Sequence, residues 1–234
     1  MKPEIRGLLF DKDGTLFDFK GSWGRWLKVQ IERLSGGDQA KADALCKATG
    51  YYPDDNSFDP ASVVIAGTPG DIVEAMLPHL PQFDRQGLLE HLIETSAHAL
   101  QDEAVPLTPL LNRFKAAGLK LGVATNDAEM PARAHLNSAQ IESAFDFISG
   151  SDSGFGAKPA PGMQNAFCDA VELRPEQVAM VGDSTHDLLA GKAAGMYRIA
   201  VLTGVANNNE LAPHADVVLN SIGDIPEFLG LPPE

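Results

Sequence analysis

A change of texture near residue 107 narrows the fold more than any other feature. From there to residue 229, short apolar runs alternate with stretches whose apolar residues recur at helical spacing. The runs 119–124, 145–149, 178–181, 197–202 and 216–219 read as strands. The stretches 107–117, 131–138, 162–171, 187–194 and 222–229 read as helices. One further apolar run, Gly7-Leu8-Leu9-Phe10, stands alone near the start. Strands separated by helices are joined by crossovers, which place them parallel in one sheet covered on both faces. The expectation is an α/β fold with a doubly wound parallel sheet.

Between the lone first strand and that repeat, the chain reads as helix upon helix. The segments are 22–34, 39–49, 60–66, 70–80 and 83–101, with 51–59 a polar, turn-rich loop. In the first of them Trp23, Trp26, Leu27, Ile31 and Leu34 fall close to helical spacing, with Ser22 as N-cap. Such a block predicts a second, smaller helical domain inserted into the first. The α/β core is then 1–17 with 103–234, and the insertion 18–102, crossed near 17–21 and 101–105. Trp23 and Trp26 are expected in the core of the insertion. Tyr51 and Tyr52 are candidate substrate contacts.

Charge limits the partners. There are 18 Lys and Arg against 32 Asp and Glu, a formal net charge of −14 in 234 residues. Nucleic acid and anionic membrane both demand clustered positive charge, so neither is expected. An anionic substrate would need a local cation, from a metal or a placed lysine. Cys46 and Cys168 lack metal-ligand spacing and fit a reducing compartment. No signal-type apolar segment and no uninterrupted apolar stretch of about 18 residues is present, which predicts a soluble cytoplasmic protein, monomer or homodimer.

The strand ends carry the chemistry. In open α/β sheets ligands bind past the carboxyl ends of the strands. After the first strand come Asp11-Lys12-Asp13-Gly14-Thr15-Leu16; side chains alternate along extended chain, so Asp11 and Asp13 share a side. After 119–124 come Thr125-Asn126-Asp127, after 145–149 come Gly156-Ala157-Lys158-Pro159, and after 178–181 come Gly182-Asp183-Ser184-Thr185-His186-Asp187. This set suits phosphoryl transfer. One aspartate can attack phosphorus. A second can protonate the leaving oxygen and then deprotonate water. Carboxylates can hold Mg²⁺, and a hydroxyl, backbone N–H and lysine can cradle the anion.

These four segments, in this order, resemble the four motifs of the haloacid dehalogenase superfamily, and the helical block resembles its C1-type cap. The resemblance spans nearly the whole core and implies its Rossmann-like fold. It also implies roles. Asp11 would be nucleophile and metal ligand. Asp13 would be the general acid/base, with its backbone carbonyl on the metal. Asp183 would be a further metal ligand. Thr125, Lys158 and the Asn126 backbone would bind the transferring phosphoryl group. Asp187 would support the metal through water or hold Lys158, with Gly14, Thr15 and Ser184 supporting the site. The dehalogenase branch lacks an acid two residues after its nucleophile, so Asp13 points to phosphotransfer. Lys12 departs from the commoner apolar residue and is expected on the opposite side from Asp11 and Asp13.

Other residues receive plainer readings. Thr125-Asn126 can also cap the following helix, and Asp187 can be an N-terminal helix charge. His186 is expected at the surface or behind the site, and His79, His91, His98, His135 and His214 are given no task. The layout is most similar to phosphoglycolate phosphatases, which implies a small phosphorylated metabolite as substrate. A carboxylate-bearing substrate would want a cation from the insertion, where Arg25, Lys28, Arg33, Lys41 and Lys47 are candidates. Three alternatives stay open: a sugar-phosphate mutase using the same motifs, a catalytically silent phosphate-binding regulator, and a signalling receiver domain, which the helical insert disfavours.

Overall fold

The computed structural model describes residues 4–232. The chain opens with strand β1 (Gly7–Phe10) and leaves it for α1 (Phe19–Ser35), α2 (Gln39–Thr49), the short strands β2 (Tyr51–Tyr52) and β3 (Ser57–Phe58), α3 (Val63–Ala66), α4 (Pro69–Met76) and α5 (Arg85–Ser96). It then builds α6 (Leu107–Ala116), β4 (Lys120–Ala124), α7 (Glu129–Ser138), β5 (Phe147–Ser149), α8 (Gly162–Val171) and β6 (Val178–Gly182). It ends with α9 (Thr185–Ala194), β7 (Tyr197–Val201), α10 (Asn208–Leu211), β8 (Val217–Leu219) and α11 (Ile225–Leu229).

Six strands form one parallel sheet in the order β5-β4-β1-β6-β7-β8. The chain runs outward from β1 on one side and returns to its other side, so the strand order reverses around β1. The carboxyl ends there form the crevice where α/β sheets bind ligands. β1 is buried from end to end, with Phe10 level with Val123 of β4 and Val181 of β6. Its side chains alternate. Leu8 and Phe10 pack with Leu110, Leu111 and Phe114 of α6 and Leu136 of α7. Leu9 packs with Met163 and Phe167 of α8 on the opposite face. The doubly wound α/β expectation holds.

The helical insertion has a buried cluster of its own, separate from those on the sheet. Trp23, Trp26, Leu27 and Ile31 of α1 meet Leu45, Val73, Met76, Leu88 and Leu92 there. The two tryptophan rings pack edge to face at 5.0 Å, as expected of core residues. The crossings run side by side. Asp18 N–H donates to the Asp102 carbonyl at 2.8 Å and Ala104 N–H to that of Leu16 at 2.9 Å.

Three local expectations fail for physical reasons. The segment 51–59 closes as a hairpin rather than a loop, because Tyr51 pairs with Phe58 across it and both rings are buried. Tyr51 therefore faces the insertion's core. The Tyr52 hydroxyl donates to Asp59 at 3.1 Å, and neither tyrosine reaches the sheet's crevice. Helix α1 starts earlier than expected because Asp18, not Ser22, caps it, accepting from Gly21 N–H at 2.5 Å. One helix had no expectation at all: the four-residue α10 is too short to show helical periodicity.

Gly122 shows how tightly β4 and α8 meet. A Cβ there would lie 2.6 Å from the Phe167 ring and 2.9 Å from Leu9. Gly122→Ala should therefore lower stability by about 1–3 kcal/mol through overpacking, read as a fall in urea midpoint. Adding Phe167→Leu should recover part of it. An unchanged midpoint in the single variant would contradict this packing.

Candidate active site

Past β1, β4 and β6 the loops converge. The Asp11 N–H still bonds the Val181 carbonyl at 2.8 Å, so β1's ladder continues one residue into the site. The chain then turns back: Leu16 N–H reaches the Lys12 carbonyl at 2.9 Å and Gly14 N–H that of Phe17 at 2.7 Å. Gly14 takes the left-handed φ of 83° that this turn requires. The turn lies directly against Asp183: a Cβ on Gly14 would come 2.4 Å from that carboxylate, and one on Gly204 would come 1.7 Å. Two glycines thus leave the room in which the Asp183 side chain sits.

Lys158 is the hub. Its ammonium donates to Asp11 Oδ1 at 2.5 Å, to Asp187 Oδ1 at 2.7 Å and to the Ala124 carbonyl at 2.8 Å. Three bonds exhaust its three donors. Its backbone is fixed in turn by Asn126, whose amide accepts from Lys158 N–H at 2.8 Å and donates to the Lys158 carbonyl at 3.0 Å. The same Asn126 amide also donates to the Ala66 carbonyl of the insertion at 2.7 Å. Asp187 accepts from both the N–H and the hydroxyl of Ser184, at 3.1 and 2.7 Å, at the start of α9. Thr15 donates to Asp183 Oδ1 at 3.2 Å. The Thr125 hydroxyl accepts from Asp127 N–H at 3.1 Å. Neither Thr125 nor Asn126 caps α7, whose N-cap position is Ala128.

The predicted residues are thus brought together. Asp11, Asp13, Thr125, Asn126, Lys158, Asp183 and Ser184 line one cleft under the insertion. Asp187 sits just behind, 1% exposed. His186 lies at the edge of the cleft rather than behind it. Three members missing from the expectation are Asp127, Lys12 and His135. Asp127 lines the cleft. Lys12 is fully buried and contacts Asp13, Asp127 and His135; the expectation that it would lie opposite Asp13 fails, because the turn after it folds the Asp13 carboxylate onto its ammonium.

Carboxylates outnumber cations here. Asp11, Asp183 and Asp187 each place an oxygen within 4.8 Å of the others, with one lysine among them. Burial pushes Asp11 up to about 7 despite Lys158, helped by the charges of Asp187 and Asp13. Burial, Asp11 and Asp187 hold Asp183 well above the usual carboxylate range. Burial lowers the Lys158 ammonium, but Asp11 and Asp187 outweigh it and keep it more basic than an ordinary lysine. An all-oxygen cluster with surplus buried negative charge fits a hard divalent cation.

The insertion contributes a different surface. Phe19, Trp23, Val64, Ile65, Pro69 and Ile72 face the carboxylates. None of Arg25, Lys28, Arg33, Lys41 and Lys47 lines the cleft, and Arg25 instead pairs with Asp102 at 2.7 Å. The cationic partner expected from the insertion is absent because these side chains lie on its outer faces.

Comparison with known proteins agrees with the geometry. Residues 8–201 match the sequence profile of the haloacid dehalogenase-like hydrolases. The phosphoglycolate phosphatase of Salmonella typhimurium is 29% identical, over 97% of this chain and 94% of its own. That of Rhodospirillum rubrum is 32% identical, but the match spans only 53% of this chain and 51% of the relative. A crystal structure of a predicted phosphoglycolate phosphatase from Haemophilus somnus superposes with a TM-score of 0.72 at 18% identity, covering 97% of this chain and 99% of the other.

His135 supplies a pH test of the buried network. Burial and the positive Lys12 push it down to about 4 from an ordinary 6.5. Between those values the unfolded chain binds a proton that the folded chain refuses, so stability falls as pH drops through the window. At pH 5 the penalty is on the order of 1–2 kcal/mol. Urea midpoints at pH 7 and pH 5 should differ less in His135→Gln than in the parent. Equal differences would contradict a buried neutral imidazole.

Proposed function

The chain belongs to the haloacid dehalogenase-like hydrolases, and on that premise we propose that it is a Mg²⁺-dependent phosphatase cleaving a small phosphate monoester through an aspartyl-phosphate. One observation carries the reading. Asp11 is held by Lys158 at 2.5 Å among two further carboxylates, with a second acid, Asp13, two residues on and lining the same cleft. A hydrolase that expelled halide would have no use for that second acid.

The roles follow from position. Asp11 attacks phosphorus, its carboxylate aimed by Lys158. Asp13 gives a proton to the departing alcohol oxygen and later takes one from water. The Thr125 hydroxyl and Lys158, which turns one of its three donors from a present acceptor, receive the phosphoryl oxygens, with the Asn126 backbone beside them. Asp11, Asp183 and the Asp13 carbonyl would hold Mg²⁺, which when bound supplies charge neutralisation at the phosphoryl group. Asp187 keeps Lys158 in place, and Gly14, Thr15 and Ser184 support the acids. Residues 18–102 serve as the cap, excluding water from the reacting centre.

The named relatives support phosphoglycolate as the first substrate to try. The apolar lining from the insertion favours a second choice, a monoester whose leaving group carries no charge, because no Arg or Lys of the insertion meets the cleft to pair with a carboxylate. The same lining offers no acid or base for a sugar, which supports a hydrolase over a mutase.

A panel of phosphoglycolate, neutral alkyl phosphates, sugar phosphates and pyrophosphate tests this with Mg²⁺ and with chelator. Hydrolysis should require the metal, vanish in Asp11→Asn, and fall by about 10²- to 10⁴-fold in Asp13→Asn. Equal rates for the parent and Asp11→Asn would refute the nucleophile.

A further inference from the structure

Lys12 lies between Asp11 and Asp13 in sequence, yet it takes no part in the chemistry proposed above. It is fully buried. Its ammonium is 2.8 and 2.7 Å from the two carboxylate oxygens of Asp13, 3.3 Å from Asp127 Oδ2 and 3.1 Å from His135 Nδ1. The Trp23 ring of α1 lies 5.6 Å away, within cation–π range. His135 passes the contact on. Its other ring nitrogen, Nε2, meets the Ser96 carbonyl at 2.7 Å. A carbonyl only accepts, so Nε2 carries the proton and Nδ1 accepts from Lys12.

Two consequences stand out. First, stability gives little reason for a lysine here. A buried ion pair is often no better than apolar residues of similar volume, and Lys12 projects to the side where Leu8 and Phe10 already pack. Second, the contacts reach both ends of the helical insertion. Trp23 lies one turn into α1, just after the outgoing crossing, and Ser96 closes α5, just before the return. One ammonium therefore touches Asp13, the Asp127 loop and Trp23 near the start of the insertion, and reaches the insertion's far end through His135.

We propose that Lys12 is a positioning residue that clamps Asp13 in its proton-transfer geometry and, through His135 and Trp23, makes that geometry depend on the seating of the helical insertion. This rests on the reading of Asp13 as acid and base. The clamp holds both oxygens of Asp13, so the carboxylate cannot rotate freely or swing from the cleft. With the insertion displaced, Lys12 loses Trp23 and its anchored His135, and Asp13 loses its fixed aim. Proton delivery is then confined to the closed site.

Leaving-group dependence separates this role from a structural one. An alkyl alcohol departs with a proton from Asp13, whereas para-nitrophenolate departs without one. The comparison uses kcat/KM, which counts only the steps through departure of the alcohol. Lys12→Met should lower kcat/KM about 100-fold for a neutral alkyl phosphate, within the range of general-acid contributions, and less than about 10-fold for para-nitrophenyl phosphate. The ratio of the two is measured on one preparation, so it does not depend on the folded fraction. His135→Leu keeps the Lys12–Asp13 pair but cuts the tie to Ser96; it should shift the ratio the same way by a smaller factor, and it carries the test if Lys12→Met gives no soluble protein. A ratio unchanged from the parent overturns the inference while leaving the phosphatase reading intact. A parent enzyme that hydrolyses neither ester overturns both.

Discussion

Everything at the site depends on the ammonium of Lys158 being shared by Asp11 and Asp187. All three groups are almost wholly buried, and each charge alone would cost several kcal/mol to desolvate. Together they hold, but the balance is uneven. Asp183 adds a third carboxylate, and among the described residues no second lysine answers it in the cleft. Burial first, and then the neighbouring carboxylates, raise the proton affinities of Asp11 and Asp183. A packed core would not keep such a surplus; a centre made to receive a cation and a phosphoryl group would. Removing Lys158 leaves two buried acids unpaired, so the same bonds that hold Asp11 also hold three strand-end loops in register.

The second lysine works on the opposite side of the same strand. Alternation along β1 sends Leu9 toward α8 and Leu8 and Phe10 toward α6 and α7. Continued past the strand end, it brings Lys12 to His135 of α7, while Asp11 meets Lys158. Two ammonium groups thus serve two acids from two faces. Lys158 aims Asp11, Lys12 restrains Asp13, and the Gly14 turn keeps the acids together. The two-residue period separates Lys12 from Asp11, but Asp13 does not stay opposite Lys12 as extended chain would place it: the chain turns back after Lys12 and brings the Asp13 carboxylate onto its ammonium.

This division also explains what could be read in advance. Asp11 and Asp183 were legible because each follows an apolar run that reads as a buried strand, Lys158 because it lies in the loop after a further short strand, and strand ends in a parallel sheet share one crevice. Lys12 was visible as a departure, but its partners were not. His135 lies over a hundred residues away on a helix whose register against β1 only the packed sheet fixes. Asp127 looked like the tail of a turn, and its pairing with Lys12 needs the same packing. The hairpin at 51–59 was hidden for a related reason: its two strands are two residues long, too short for alternation to register, and Tyr51 with Phe58 decides it by burial. The basic residues of the insertion misled because helical spacing gives a face without saying what lies opposite it.

The apolar lining from the insertion bears on chemistry as well as selection. Phe19, Trp23 and Ile72 lie over a group of acids and lysines, and a dry, low-dielectric boundary strengthens every charge interaction beneath it. That favours transfer of a charged phosphoryl group, provided its charge is met from the core side. Lys158 and the carboxylate cluster with its cation can do so. An anionic group set against those apolar side chains would be desolvated without a partner, at a cost of several kcal/mol. On the phosphatase reading, then, the insertion's apolar surface offers no partner for charge on a leaving group, while the tie from Asn126 to the Ala66 carbonyl keeps that surface seated against the loop that holds Lys158.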